Sequence, residues 1–210
     1  MKNNFITINS SLINEASEVI SKEFQNAPFF KYLFEDKNVR LTILPYIFNN
    51  LLNVYKSIGT TYITSINVEG TFSLVNFNSA NHHLSFYESL IKGISNDISI
   101  LKTIDLKETI NNLSKAKETL LSVKDFIKDY NNYLFLSSIG LNYSSETDRI
   151  QFLNDMINFC IEQSKSLNIP LLVETETYEM VKLYVSHGFI LKKEFNIKGT
   201  SVAIFLLQYS

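Results

Sequence analysis

The chain has 210 residues, 19 of them basic and 21 acidic, giving a formal net charge of -2 and a pI near 5.9. With its Lys and Arg spread along its length, it carries no electrostatic footprint for a nucleic acid partner. Hydrophobic residues at 45% and charged residues at 19% are globular proportions that exclude a disordered chain, and residues 1–210 are expected to form a single domain around one core.

The start MKNNFITINSSLINEA puts polar residues where a secretory signal needs an apolar run. Ser11–Phe24 then sets Leu12, Ala16, Val19, Ile20 and Phe24 at helical spacing, and Asn38–Ser57 repeats this with Leu41, Leu44, Phe48, Leu51, Leu52 and Tyr55. Two amphipathic helices are predicted, the second stopped by Gly59. TTYITSIN and GTFSLVNF follow as β-rich runs on either side of Val68-Glu69-Gly70, which predicts a hairpin. From His82 to Tyr130 the patterning is helical again, with one segment around Phe86–Ile91 and a longer, charged one over Leu106–Ile127.

YLFLSSIGL reads as a buried strand, Glu146–Leu167 as a helix, IPLLVET as a strand and Thr177–His187 as a helix. FILKKEFNI and TSVAIFLLQY close the chain as a hairpin turned at Lys198-Gly199. This order predicts an α+β (mixed α/β) fold, a central mixed twisted β-sheet flanked by helices. No apolar run approaches the ~20 residues that span a bilayer, so no membrane partner is expected. The single cysteine, Cys160, excludes an intramolecular disulfide and a cysteine-based zinc site. A cytoplasmic protein is expected. No Asp, Glu or His cluster has metal-ligand spacing, so no metal is expected.

The stretch Leu171–Phe189, LLVETETYEMVKLYVSHGF, resembles the signature of the acyl-CoA N-acyltransferase (GNAT) superfamily. The pattern is a strand ending in Glu, a turn, and a helix with Val-x-x-Tyr closing in Gly-Phe, here Glu174, Val181, Tyr184, Gly188 and Phe189. The run FQNAPFFKYLFEDKNVRLTILPYIFNNLL followed by GTTYIT is similar to the opening of the puromycin acetyltransferase-like branch, with Phe24, Pro28, Phe34, Arg40 and Gly59 at matching places. The resemblance implies a GNAT-like fold over nearly the whole chain. It also implies acetyl-CoA as co-substrate and direct acetyl transfer to a primary amine of a small molecule or peptide; dimerisation is left open.

The same resemblance implies a cofactor gap between two parallel strands, Tyr133–Leu141 and Pro170–Thr175, with the pyrophosphate on the N-terminus of the next helix. There, free N–H groups and the positive end of the helix dipole attract phosphate. Leu136, Ser137, Ser138 and Ile139 are the expected strand contacts, and Asp148, Arg149, Ile150, Gln151, Phe152 and Leu153 the expected phosphate segment. Thr177 and Met180 would line the cofactor from the last helix. The usual Gln/Arg-x-x-Gly-x-Gly/Ala pattern falls at Asp148, Gln151 and Leu153, so both glycines are missing; Met180 stands where the family has Asn. Ser145 with Asp148 instead reads as an acidic capping box of an ordinary helix.

The resemblance assigns Tyr184 as the acid that protonates the departing thiolate and Glu174 as the base that deprotonates an ammonium. On the residues alone, Tyr184 is as readily helix packing, and Glu174 a cap for the following helix or a partner for lysine. His187 reads as a cation at a helix C-terminus, and Cys160 as core. A GNAT-fold ligand-binding or regulatory protein without ordinary CoA binding is therefore the second expectation.

Overall fold

The computed structural model of the chain describes residues 5–78, 106–127 and 130–210. His82, His83 and the helical segment expected around Phe86–Ile91 lie outside the described residues. A two-residue strand β1 (Ile6–Thr7) and a short 3-10 turn (Ser10–Leu12) lead into helix α1 (Ile13–Phe24), followed by α2 (Pro28–Leu33) and α3 (Lys37–Tyr55). Helix α1 buries Ile13, Ala16, Val19 and Ile20, the stripe that its spacing predicts. Sequence periodicity predicts no α2, which has only six residues and starts with Pro28 at its first position.

Arg40, on α3, is 6% exposed and joins the three helices. Its Nε donates to the Gln25 carbonyl at 2.7 Å, and an Nη donates to the Phe34 and Glu35 carbonyls at 2.5 and 2.7 Å. A buried guanidinium is tolerated only when its donors are satisfied, and here they are satisfied by backbone, so the links between α1, α2 and α3 are fixed. Asp36 caps α3 by accepting from the Asn38 amide at 2.7 Å.

Strands β2 (Gly59–Ile63) and β3 (Gly70–Asn78) pair antiparallel, as the hairpin prediction requires, but the turn is longer than Val68-Glu69-Gly70. Strand β2 ends at Ile63 because the Thr64 side chain turns back on the chain: its Oγ1 accepts from the Gly70 amide at 3.0 Å, and Val68 takes φ 51. Then come α4 (Leu106–Ile127), β4 (Asn132–Leu141), α5 (Glu146–Leu167), β5 (Leu171–Thr175), α6 (Tyr178–Ser186), β6 (Ile190–Asn196) and β7 (Ala203–Tyr209). Ser145 caps α5, and Asn168 ends it in the left-handed conformation with φ 52. Gly188 ends α6 at φ 88, as its place after the last helical residues requires.

Among the described residues, seven strands form one sheet in the order β1-β2-β3-β4-β5-β7-β6, in which only the β4–β5 pair is parallel. One apolar cluster, containing Ile20, Phe30, Phe48, Phe135 and Leu172, packs α1, α2, α3 and α4 on one face. The other, containing Leu136, Phe152, Met156, Val173 and Tyr184, packs α5 and α6 on the opposite face. Among the described residues, no helix is long and apolar enough to cross a membrane.

Helix α1 crosses β4 at Gly140, where an added Cβ would lie 2.8 Å from both the amide nitrogen and the Cα of Ile20. Two backbones in such close approach leave no room for a methyl group. Gly140→Ala should lower stability by about 1–3 kcal/mol as α1 is pushed off the sheet, measurable by thermal or urea melts. An unchanged melt would mean that α1 does not lie this close to β4.

Candidate functional site

The site begins where two strands part. Strands β4 and β5 pair through Leu134–Leu171, Phe135–Leu172 and Leu136–Val173 and no further. Beyond that point β5 stays with β7, Glu174 opposite Leu206 and Thr175 opposite Phe205, while β4 stays with β3. The β3–β4 register also slips here: Ser73 faces Ser137 and Thr71 faces Gly140, so Ser138 and Ile139 together stand against Phe72. That is a β-bulge in β4, and Ser138 sits in it at φ 52, a conformation that a non-glycine residue holds only under constraint.

A cavity of about 340 Å³ fills the opening. Its walls come from three places in the chain: Glu23–Pro28 between α1 and α2, Phe135–Leu141 of β4 with Arg149 and Leu153 of α5, and Glu174–Thr177 with Met180 and Tyr184 of β5 and α6. Alternation along the strands divides these residues between the two faces of the sheet. Phe24, Ala27 and Phe135 belong to the α1–α4 cluster, whereas Leu136, Ile139, Leu153, Met180 and Tyr184 belong to the α5–α6 cluster. Glu174 follows Val173, so its side chain falls on the face of Leu172, Tyr55 and Tyr133. The cavity therefore passes through the sheet, with Glu174 on one face and Tyr184 on the other.

Neither Glu174 carboxyl oxygen contacts water or has a hydrogen-bond partner among the described residues. Leaving such a group unsatisfied costs roughly 1–3 kcal/mol, more if it is charged. Burial, and next the neighbouring Glu176 carboxylate, push the Glu174 carboxyl up to about 8. Glu176 has a task of its own, accepting the Phe29 amide at 2.6 Å and so tying the β5–α6 loop to the start of α2. The Tyr55 hydroxyl is buried 3.0 Å from the Ser137 hydroxyl, which lies 3.3 Å from that of Ser138. Burial raises the phenols of Tyr55 and Tyr133 above their ordinary range, and the charge of Glu174 raises both further.

Tyr184 is 1% exposed and packs on Phe189 with ring centroids 5.2 Å apart. Burial, then the nearby Cys160, holds its phenol above the usual range, so the hydroxyl stays protonated. Cys160 itself is fully buried and its thiol is pushed up by that burial, which keeps it inert.

At the start of α5, Ser145 Oγ accepts the Asp148 amide at 3.4 Å, while Glu146 and Asp148 put two acids in the first turn. Arg149 is the one basic side chain among the described residues that line the cavity, and it is already engaged. Its Nη lies 3.1 and 3.3 Å from the two carboxyl oxygens of Glu23, and its Nε 3.6 Å from Glu146. A carboxylate from α1 thus occupies one Nη of the guanidinium.

Of the sequence-predicted site residues, Glu174, Tyr184, Leu136, Ser137, Ser138, Ile139, Arg149, Leu153, Thr177 and Met180 line this one cavity. Asp148, Ile150, Gln151 and Phe152 do not: Ile150 is 49% exposed, and Phe152 is buried against Phe72 and Tyr143. Glu174 neither caps α6, a role that Thr177 fills by accepting from the Met180 amide at 3.4 Å, nor meets a lysine. His187 ends α6, its Nδ1 2.9 Å from the Leu183 carbonyl. Glu23 and Glu176 line the cavity without having been singled out in the sequence. Glu-Thr-Glu at the strand end was a signal for Glu176; Glu23 carried none, since its partner is 126 residues away.

No family model matches the sequence. An uncharacterised protein of Acanthamoeba polyphaga mimivirus is 28% identical over 120 residues, a stretch covering 56% of this chain and 7% of that protein. The chain therefore spans only a small part of that relative's length. Among solved structures, the C-terminal condensation domain of Ebony in complex with beta-alanyl-dopamine superposes with a TM-score of 0.63 at 11% identity, covering 98% of this chain and 97% of that one. Arylalkylamine N-acetyltransferase 2 of Aedes aegypti superposes with a TM-score of 0.57 at 14% identity, covering 98% and 97%. These likenesses show the fold: a GNAT acyltransferase fold with a mixed sheet flanked by helices.

The raised Glu174 carboxyl makes stability depend on pH. Its folded value of about 8 lies above its ordinary 4.5, so its contribution is complete below pH 4.5 and is lost as pH rises through 8. Glu174→Gln cannot ionise, and Glu176, Tyr55 and Tyr133 around it are common to both proteins. Between pH 5 and 8 the variant should gain at least about 1.4 kcal/mol on the wild type, read from paired denaturant melts. A difference that does not vary with pH would show that the carboxyl is not held neutral.

Proposed function

We propose that this protein is an N-acetyltransferase that moves an acetyl group from acetyl-CoA to a primary amine of a small molecule. The observation that carries this reading is the cavity through the sheet, with a buried, unpartnered carboxyl on one face and a buried phenol on the other. The acyl end of such a cofactor suits the residues present. The backbone of Leu136–Ile139, bulged at Ser138, together with Leu153, Thr177 and Met180, would hold it. When bound, it supplies a thioester as acyl donor. The pyrophosphate end suits the chain only if Glu23 releases Arg149, since both glycines of the usual motif are missing. The aromatic run from Phe24 to Phe34 and the buried Arg40 support the puromycin acetyltransferase-like branch.

Acyl transfer needs a neutral amine, and a base that titrates close to the operating pH removes the ammonium proton most efficiently. Glu174, at about 8, is poised for that work, its Oε taking the proton as the nitrogen attacks. Backbone N–H groups at the bulge are the donors for a developing oxyanion. The Tyr184 hydroxyl, kept protonated, donates to the departing sulfur. The new C–N bond replaces the C–S bond in one displacement.

A second reading is favoured by one observation: Arg149 is neutralised by Glu23 at the mouth of a helix whose first turn is acidic. On that reading the chain keeps the fold as a ligand-binding or regulatory protein without ordinary CoA binding. Calorimetry with acetyl-CoA separates the two, since dissociation in the micromolar range supports the enzyme and no heat at millimolar ligand supports the alternative.

For the enzyme, Tyr184→Phe should lower kcat about 100-fold with little change in cofactor affinity; an unaltered kcat would remove Tyr184 from the reaction. Glu23→Gln should free Arg149 and tighten CoA binding roughly fivefold, about 1 kcal/mol. Weaker binding in that variant would mean that Glu23 organises the anion site instead of occupying it.

A further inference from the structure

We infer that Tyr55, at the end of α3, is a positioning residue for the acyl group: through Ser137 it holds Ser138 in the β4 bulge and so fixes how the backbone of Ser138 and Ile139 faces the gap. Its bearing on an acyl group rests on the acetyltransferase reading; its hold on the bulge does not.

Among the described residues, three other than glycine have positive φ: Val68, Ser138 and Asn168. Val68 lies in the β2–β3 turn and Asn168 at the end of α5, places where a left-handed residue is ordinary. Ser138 alone of these stands inside a strand, and such a residue relaxes to extended backbone unless its surroundings hold it. Regular alternation would also send Ser137 and Ser138 to opposite faces of the sheet. Their hydroxyls instead lie 3.3 Å apart, so the bulge keeps both on the face that α3 covers.

Two fixed points bracket the bulge. After it, Gly140 is pressed against the backbone of α1 at Ile20. Before it, the Ser137 hydroxyl lies 3.0 Å from that of Tyr55. Burial raises the Tyr55 phenol above its ordinary range, so it stays protonated, and a phenol is the stronger donor of the two hydroxyls. Tyr55 therefore donates to Ser137, whose own proton is left for Ser138. All three side chains are buried, so water does not compete for these bonds. The ring of Tyr55 is packed in the α1–α4 cluster, on a helix that Arg40 ties to its neighbours. Ser137, Ser138 and Ile139 line the cavity and Tyr55 does not, so it acts through them.

The test compares the full chain with variants of single hydroxyls. Tyr55→Phe keeps the ring and removes the donor, and Ser137→Ala removes its partner. Thr61→Val is the control: it breaks another buried hydroxyl pair on this face, Thr61 with Ser73 at 2.9 Å, and leaves the Tyr55–Ser137 bond in place. Thermal melts report that each variant is folded. Carbon chemical shifts should place Ser138 in the left-handed region in the wild type and Thr61→Val, and in the extended region in Tyr55→Phe and Ser137→Ala. In calorimetry, the wild type and Thr61→Val should bind acetyl-CoA about fivefold more tightly than CoA, since only acetyl-CoA brings a thioester carbonyl to the bulge. Tyr55→Phe should erase that preference while CoA itself binds within about twofold of the wild type, whereas a fold that was merely loosened would weaken both ligands alike. Adding Ser137→Ala to Tyr55→Phe should change nothing more, because both act through one bond. A left-handed Ser138 in Tyr55→Phe, a wild type that binds both ligands alike, a preference that survives in Tyr55→Phe, or one lost equally in Thr61→Val would each overturn the inference. A wild type that binds neither ligand, while Ser138 still relaxes in Tyr55→Phe, sinks the acetyltransferase reading and leaves Tyr55 holding the bulge.

Discussion

Everything at the site depends on a parallel pairing that stops early. Strand β5 is held by β7 along its whole length and β4 by β3, so when the two lose their common register after Leu136–Val173 neither can follow the other. Backbone groups that leave a ladder must find other partners or face a cavity, and the bulge at Ser138 is the local adjustment that lets β4 turn away without losing β3. A sheet usually separates the two faces of a protein. Here the gap connects them, which is why side chains from two otherwise separate apolar clusters border one space.

The charges around that space are arranged as unequally as the strands. On one face a carboxyl is buried without a partner, where a second carboxylate only makes ionisation harder. At the other end, the single guanidinium has an internal carboxylate as its counter-ion. The first is a carboxyl left unsatisfied and the second a guanidinium already paired within the chain. Both follow from α1–α2 lying over the gap, since Glu23 and the Phe29 amide come from that segment and meet Arg149 and Glu176 across it.

Local features were legible wherever the chain satisfies itself. Ser145 before the helix at Glu146–Leu167, the buried run Tyr133–Leu141 and the glycines at 188 and 199 mark their own boundaries, because caps, alternation and positive φ depend on near neighbours. Glu174 and Tyr184 were legible as a strand end and a helix position, through likeness to a known signature. The six-residue α2 was not, because so short a helix has little periodicity and its first amide is satisfied by Glu176, 147 residues away. The Thr64–Glu69 turn exceeded its expected length because Thr64 and Ser65 bind backbone that a strand would otherwise use.

By itself, then, the sequence determined the order and type of most elements and the mixed sheet, since each rests on spacing within one segment, whereas Glu174 and Tyr184 stood out only through likeness to a known signature. Only the tertiary structure decided that Glu174 and Tyr184 lie on opposite faces of the sheet at one cavity, that Glu174 is unpartnered, and that Glu23 holds Arg149. Those outcomes depend on which strands part and which helix covers the opening. They are contacts between segments far apart in the chain, and spacing within a segment carries no trace of them.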